Sequence, residues 1–201
     1  RLFSMNEIAQ GADQRCFLNS TEPIDNYDVD FCLPRSSTKP NVLLIGESFA
    51  AQYQKPLQTV FPEISLSVAT ASGCHPVVPL DGLANCVNFQ QFVIENVVKK
   101  FRYDAIILSA NWRQHSLVKL PETLRMLKEY TDHVIVFGPS QIYSAWLPGL
   151  LVKSETLRDG GAIIRRASRL TIQRRLEAEA KKLMTEDGEF FSILDTICPQ
   201  P

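Results

Sequence analysis

The sequence predicts an α/β domain in three layers, with a parallel sheet between two layers of helices. From Asn41 onward, short apolar runs of strand length alternate with amphipathic stretches of helical length. The runs are rich in β-branched residues and apolar at consecutive positions, which is typical of strands buried on both faces. Strands and helices that alternate in this way favour a parallel sheet covered on both sides.

The chain divides into an irregular beginning and a regular remainder. Residues 1–40 contain many Pro, Asn, Asp, Ser and Thr residues, so we expect an irregular extension there rather than a core element. Residues 41–201 form the expected α/β domain. Its strands are predicted at 41–46, 64–70, 104–110, 133–138 and 189–195, and its helices at 48–60, 88–101, 121–131 and 162–185.

Composition excludes several classes of protein. The net charge of −1 and the absence of a basic run interleaved with aromatic residues argue against a nucleic-acid partner. No stretch reaches the ~20 apolar residues that a membrane-spanning helix needs. The sequence contains neither a CxxC motif nor a His/Cys cluster, so we expect no metal, and nothing indicates a cofactor.

The five cysteines include two local pairs. Cys16 and Cys32 enclose one loop, and Cys74 and Cys86 enclose another. Disulfides at both places would suit an oxidising compartment outside the cytoplasm; the alternative is reduced, buried thiols in a cytosolic protein. Cys198 is left over, which in a secreted-type chain indicates a partner elsewhere.

The ends of three predicted strands carry a candidate catalytic site. Ser48 follows the first core strand at the start of a helix, where free backbone N–H groups favour negative charge. Gly73 follows the second strand and Asn111 the third, and both residue types can donate to an oxyanion. Each has a simpler alternative: a helix cap for Ser48, a turn residue for Gly73, and a loop or capping residue for Asn111.

The ordered set of motifs resembles the SGNH hydrolase superfamily. More narrowly, it is similar to the SGNH domains fused to acyltransferase-family-three membrane proteins, which O-acylate bacterial surface polysaccharides. The motifs that carry the resemblance are the 16–32 cysteine loop, PNVLLIGES at 40–48, GCHP at 73–76 with Cys86 after it, IILSANW at 106–112, and VIVFGP at 134–139.

The resemblance implies a flavodoxin-like sheet and a covalent mechanism. Ser48 would be the nucleophile, and its own N–H, the Gly73 N–H and the Asn111 side chain would form the oxyanion hole. A membrane acyltransferase domain would present the acyl donor, and a glycan hydroxyl would accept the short acyl group, acetyl or similar. The domain would then lie on the periplasmic or cell-surface side, tethered to an inner-membrane domain.

The sequence departs from the family pattern in three ways. The usual Gly-Asp-Ser is Gly46-Glu47-Ser48 here, and Phe49 stands where a His is frequent. The Asp-x-x-His block that supplies the catalytic His is missing, and we expect it beyond Pro201 in a longer protein. His75 and His115 are the possible substitute bases within the chain, because they follow Gly73 and Asn111 closely.

Further residues have both functional and structural interpretations. Trp112 and Arg113 follow Asn111 and are candidate sugar contacts, although Trp112 also suits a buried position. The arginines at 165, 166, 169, 174 and 175 indicate either a polyanion or membrane contact or a solvated helix face. The apolar 144–152 segment indicates a pocket lining, a docking surface or core packing.

Three functions are compatible with these motifs. The first is an O-acyltransferase, the second is a carbohydrate O-acetyl esterase of the same fold, and the third is an inactive SGNH-like module that binds a glycan or a partner. An ordinary α/β-hydrolase suits the sequence less well, because its nucleophile elbow follows several strands rather than the first core strand.

Overall fold

A six-stranded parallel sheet forms the centre of the protein in a computed structural model that describes residues 13–156 and 160–198. The strands are β1 Phe17–Leu18, β2 Asn41–Gly46, β3 Ser65–Ala71, β4 Ala105–Ser109, β5 Val134–Phe137 and β6 Glu189–Phe191. They lie in the order β1-β3-β2-β4-β5-β6, and all neighbours are parallel. The chain therefore reverses its direction of winding at β2, and such a switch point opens a crevice at the carboxyl end of that strand.

Helices cover both faces of this sheet. They are α1 Val29–Cys32, α2 Ser48–Ala51, α3 Gln54–Val60, α4 Ala84–Phe92, α5 Gln114–Leu117, α6 Leu120–Lys128, α7 Leu147–Thr156, α8 Gly160–Ala167, α9 Leu170–Leu183 and α10 Ile193–Ile197. A π-helical turn, Val93–Val98, continues α4. Leu43 and Leu44 are consecutive in β2 and fully buried, so each face of the central strand is packed. This confirms the predicted three-layer α/β/α fold.

The segment before β2 is more closely joined to the sheet than the sequence predicts. The expectation of no core element in residues 1–40 is wrong for Phe17–Leu18, which pair with Thr70 and Ala71 of β3. Side chains continue the attachment: the Tyr27 hydroxyl donates to Val68 O (2.7 Å), and the Thr70 hydroxyl donates to Cys16 O (2.7 Å). Residues 1–12 of the predicted extension lie outside the described residues.

The chain contains both disulfides that the sequence predicts. Cys16 is bonded to Cys32, and Cys74 is bonded to Cys86. All four cysteines are buried, whereas Cys198 is a free thiol. The first disulfide closes the segment that carries β1, and the second closes the loop between β3 and α4.

Two predicted elements are shorter than expected. The helix predicted at 162–185 breaks between α8 and α9, because Ser168 forms a β-bridge with Tyr143 and Arg169 N–H donates to Ile142 O (2.9 Å). The strand predicted at 189–195 ends at Phe191. Ser192 then caps α10 by accepting from the Asp195 N–H (2.9 Å).

The helices predicted at 48–60 and 121–131 also differ in detail. The first is interrupted by a turn at residues 52–53, and the second begins at Leu120, after the short helix α5. None of the helices in the described ranges is both long and apolar enough to cross a membrane.

Loss of the first disulfide is expected to lower stability measurably. Cys16 and Cys32 are separated by 16 residues, and a loop of that length restricts the unfolded chain by about 3 kcal/mol. The variant with both Cys16→Ala and Cys32→Ala should lose about that free energy of unfolding in urea titrations. Cys198→Ala, which removes only the free thiol, should leave the unfolding midpoint unchanged. Equal midpoints for all three proteins would contradict this account.

Candidate functional site

The three predicted site residues lie at one edge of the sheet. In the register of the strands, Gly46 of β2 pairs with Thr70 of β3 and with Ser109 of β4. Ser48, Gly73 and Asn111 follow these paired positions by two or three residues. The parallel arrangement therefore brings the ends of β2, β3 and β4 together at the crevice.

Glycine at position 46 permits the close approach on which this edge depends. A Cβ atom there would lie 1.9 Å from the Ser109 carbonyl oxygen and 2.6 Å from the Ala50 Cβ. Any side chain would therefore push β4 or the start of α2 away. The absence of that side chain lets Ser48 begin a helix immediately after the strand.

The Glu47 carboxylate joins the two strand ends. Its side chain is buried, with 5% of the residue exposed. One oxygen accepts from the Ser48 hydroxyl (3.1 Å), and the other accepts from the backbone N–H groups of Asn111 and Phe49. From the sequence alone, Glu47 is identified only as a departure from the Asp of the family pattern. Its position could have indicated its role. Glu47 lies between a buried apolar strand and the start of a helix, where a carboxylate needs hydrogen-bond donors.

Three hydrogen-bond donors on the adjoining strand ends have no acceptor among the described residues. They are the backbone N–H groups of Ser48 and Gly73 and the side-chain amide of Asn111. Gly73 has a φ of +69°, which a side chain would disfavour, and the space beside its Cα is open. Ser48 itself is exposed. Donors without acceptors on the strand ends that carry an accessible hydroxyl are the groups that could stabilise a developing oxyanion.

His75 and His115 form a pair beside this edge, but neither ring is hydrogen-bonded to Ser48. Their ring centroids are 5.3 Å apart in an edge-to-face arrangement. The His75 Nδ1 atom is buried and has no partner among the described residues. Burial lowers the pKa of His75 below its usual value, and the nearby Glu47 carboxylate opposes that effect only in part. His133 is exposed and contacts Glu189 (3.1 Å) on β6.

Trp112 does not fulfil the predicted role of a sugar contact. Only 1% of the residue is exposed, and its indole N–H donates to Phe137 O (2.7 Å) at the end of β5. Both faces of the ring are thus covered, and the buried alternative is correct. Arg113, which follows Asn111 and Trp112, is exposed. At the start of α5, the Ser116 hydroxyl accepts a hydrogen bond from the Arg113 N–H (3.1 Å) and donates one to the Arg113 carbonyl oxygen (2.9 Å).

The arginines of the 162–185 region do not act as one group. Arg165, Arg166, Arg169 and Arg175 are exposed. Arg174 is largely buried instead, where it contacts Glu177 (2.9 Å) and Asp195 and so holds α10 against α9. The interpretation of five arginines on one solvated face is wrong for Arg174.

The apolar 144–152 segment is divided between the core and the surface. Leu150 is buried, whereas Trp146, Leu151 and Val152 are exposed. Core packing therefore explains only part of this segment. Within the described residues, no group of three or more His, Cys, Asp or Glu side chains could hold a metal ion.

The hydrogen bonds of Glu47 are expected to contribute measurably to stability. Glu47→Ala leaves the Asn111 N–H without its acceptor at a buried site, which costs about 1–3 kcal/mol. The free energy of unfolding from urea titration should fall by that amount. The matched variant Glu63→Ala removes an exposed carboxylate and should change little. Equal stability of the two variants would show that Glu47 does not join the strands.

Two solved structures align with this chain. The periplasmic domain of a lipopolysaccharide acetyltransferase from Salmonella ser. Paratyphi A has a TM-score of 0.67 and 16% identity, over 93% of this chain and 76% of that one. A catalytic mutant of an acetylxylan esterase from Geobacillus stearothermophilus aligns at a TM-score of 0.45 and 14% identity, over 78% and 77% of the two chains. At such identities, the first likeness supports the fold alone.

No curated protein sequence matches the chain significantly. The family model for SGNH domains fused to AT3 domains, in contrast, matches residues 15–201, which is nearly the whole chain. The two disulfides fit an extracytoplasmic domain. The chain belongs to the family of SGNH domains that are fused to AT3 domains.

Proposed function

We propose that this chain is the extracytoplasmic acyl-transfer domain of a bacterial polysaccharide O-acyltransferase. Ser48 receives a short acyl group, acetyl or similar, from a donor presented by an inner-membrane acyltransferase domain and passes it to a glycan hydroxyl. The observation that carries the proposal is that three donors, from Ser48, Gly73 and Asn111, have no acceptor within the described residues and follow the neighbouring strand ends at the exposed Ser48.

The geometry supports a two-step transfer. In the first step, Ser48 Oγ bonds to the acyl carbon, and the carbonyl oxygen becomes an oxyanion that the three donors stabilise. Collapse of this intermediate expels the donor's leaving group with a proton. In the second step, a glycan hydroxyl attacks the acyl-enzyme, and Ser48 regains its proton as the product leaves.

A general base has to take the Ser48 proton in this scheme. Glu47 accepts a hydrogen bond from the hydroxyl, which orients it. The 201 residues contain no Asp-x-x-His motif. In the family this base is the His of that motif; the candidate bases within this chain are His75 and His115, which follow Gly73 and Asn111 closely.

Two other functions each have an observation in their favour. Because Ser48 is exposed, water has access to an acyl-enzyme, which favours a carbohydrate O-acetyl esterase. Because no His ring is hydrogen-bonded to Ser48 in the described ranges, an inactive module that binds a glycan or a partner is the other candidate. Analysis of products formed with a glycan acceptor separates transferase from esterase, and acylation of Ser48 separates both from the inactive module.

Covalent acylation tests the role of Ser48 directly. Incubation of the full-length protein with an activated acetyl ester should add one acetyl group to the peptide that contains Ser48, detected by mass spectrometry. Ser48→Ala should abolish this adduct, and Asn111→Ala should slow its formation by roughly 10²–10³, because one oxyanion donor is lost. The exposed Ser37→Ala variant is the control and should react like the unaltered protein. An adduct that persists in Ser48→Ala would refute the proposal.

The environment of His75 predicts a pH dependence of stability. Its lowered pKa means that the folded chain binds this proton more weakly than the unfolded chain, whose His titrates near 6.5. The free energy of unfolding should therefore fall as the pH drops below that value, and less so in His75→Gln. Glu47, His115, Arg113 and Asp81 are the charged neighbours that act on this group. An NMR titration of the imidazole gives the direct check, and a midpoint at or above 6.5 would contradict it.

A further inference from the structure

An apolar cavity lies against the sheet and is lined by residues of the three strands whose ends carry the candidate site. Its floor is the row formed by Ala69, Ile45 and Leu108, which are register partners across β3, β2 and β4. Residues of α4, its π-helical continuation and α6 form the opposite wall. The loop after β3, which includes Cys74 and Val77, completes the lining.

The cavity lining includes sequence neighbours of two of the three groups of the proposed oxyanion hole. Gly46 lines the cavity and stands two residues before Ser48. Cys74 also lines it and directly follows Gly73. The cavity lining is thus continuous along the chain with Ser48 and with Gly73, the two residues whose backbone N–H groups would hold an acyl carbonyl oxygen.

The chemistry of the wall selects the class of occupant. The side chains are apolar apart from Gln90, Thr123 and the cystine at Cys74. The Thr123 hydroxyl is already occupied, since it donates to Lys119 O (2.9 Å) and accepts from Val78 N–H (2.9 Å). Gln90 donates to His75 O, and its Oε1 atom is unpaired among the described residues. A sugar buried in this cavity would give up most of its hydrogen bonds to water without replacing them, whereas a hydrocarbon chain has no hydrogen bonds to lose.

The loop that closes the cavity is fixed by several contacts. The Cys74–Cys86 disulfide ties it to α4, and the Val78 N–H bond ties it to α6. Lys119 adds a hydrogen bond to Pro79 O (2.8 Å) and an ion pair with Asp81 (2.6 Å). The cavity is thus built into the fold, so that an occupant need not order the loop.

We propose that this cavity, termed the acyl cavity, receives the hydrocarbon tail of acyl groups longer than acetyl while their carbonyl group lies at Ser48. The inference rests on the proposed function and deepens it by naming straight-chain acyl groups as a substrate class. Each methylene buried in the acyl cavity should raise affinity roughly fourfold. The unpaired Gln90 Oε1 adds a preference for a tail that carries one hydroxyl group.

Carboxylates of increasing length test the proposal without catalysis. In acetate, butyrate and hexanoate, the carboxylate takes the place of the acyl carbonyl group. The three compounds differ only in the length of the hydrocarbon tail. Titrated into methyl-labelled protein, hexanoate should shift the NMR signals of Ile45, Val93 and Leu127 and give contacts to them. Its affinity should exceed that of butyrate by more than tenfold, for two added methylenes, and acetate should leave these signals unchanged.

Substitutions in the wall and outside it locate the binding. Ala69→Leu and Val93→Leu add atoms to the acyl cavity and should each weaken hexanoate binding by tenfold or more. Val42→Leu enlarges a buried side chain on the opposite face of β2 and should leave binding unchanged. If Ala69→Leu does not fold, Val93→Leu decides the question alone, as the smaller change.

The outcomes separate this inference from the proposed function. Two results would overturn the proposal for the acyl cavity even if Ser48 is acetylated. One is that hexanoate shifts NMR signals only in other parts of the protein, and the other is that Val93→Leu and Val42→Leu bind hexanoate equally well. Binding that survives Ser48→Ala but vanishes in the filled variants would support the acyl cavity even if Ser48 is not acylated.

Discussion

One buried carboxylate determines the geometry of the candidate site. Glu47 stands at the end of the central strand, and its oxygens hold the Ser48 hydroxyl and the Asn111 backbone at the same time. A carboxylate in that position has to keep its donors, because leaving it unpaired inside the protein costs several kcal/mol. The relative position of β2 and β4 at the crevice is therefore set by a polar requirement rather than by apolar packing alone.

This constraint also shapes what lies around it. The Glu47 side chain uses the backbone N–H of Asn111, so the Asn111 side-chain amide stays available for another acceptor. Gly46 allows the strands to approach closely enough for that bond, and the same glycine lines the apolar cavity. Gly46 thus belongs both to the polar strand ends and to the lining of the apolar cavity. This arrangement suits a ligand with a polar carbonyl group and an apolar tail.

The sequence predicts the sheet and the strand ends well, because strands that are apolar at consecutive positions can lie only in the middle of a layered fold. It does not predict the break at Ser168, since that break depends on a bridge to Tyr143, which is distant in sequence. Trp112 shows a similar limit. A tryptophan that follows a site residue suits a sugar contact or the core, and only the position of the Phe137 carbonyl decides between them.

The segment before β2 covers an edge of the sheet with few strand residues. β1 pairs with only the last two residues of β3, and beyond them the Tyr27 and Ser67 hydroxyls connect β3 to the same segment. An uncovered edge strand is a template for pairing with another chain. The Cys16–Cys32 bond fixes the segment that supplies this cover, so the disulfide serves to keep the β3 edge closed as well as to stabilise the fold.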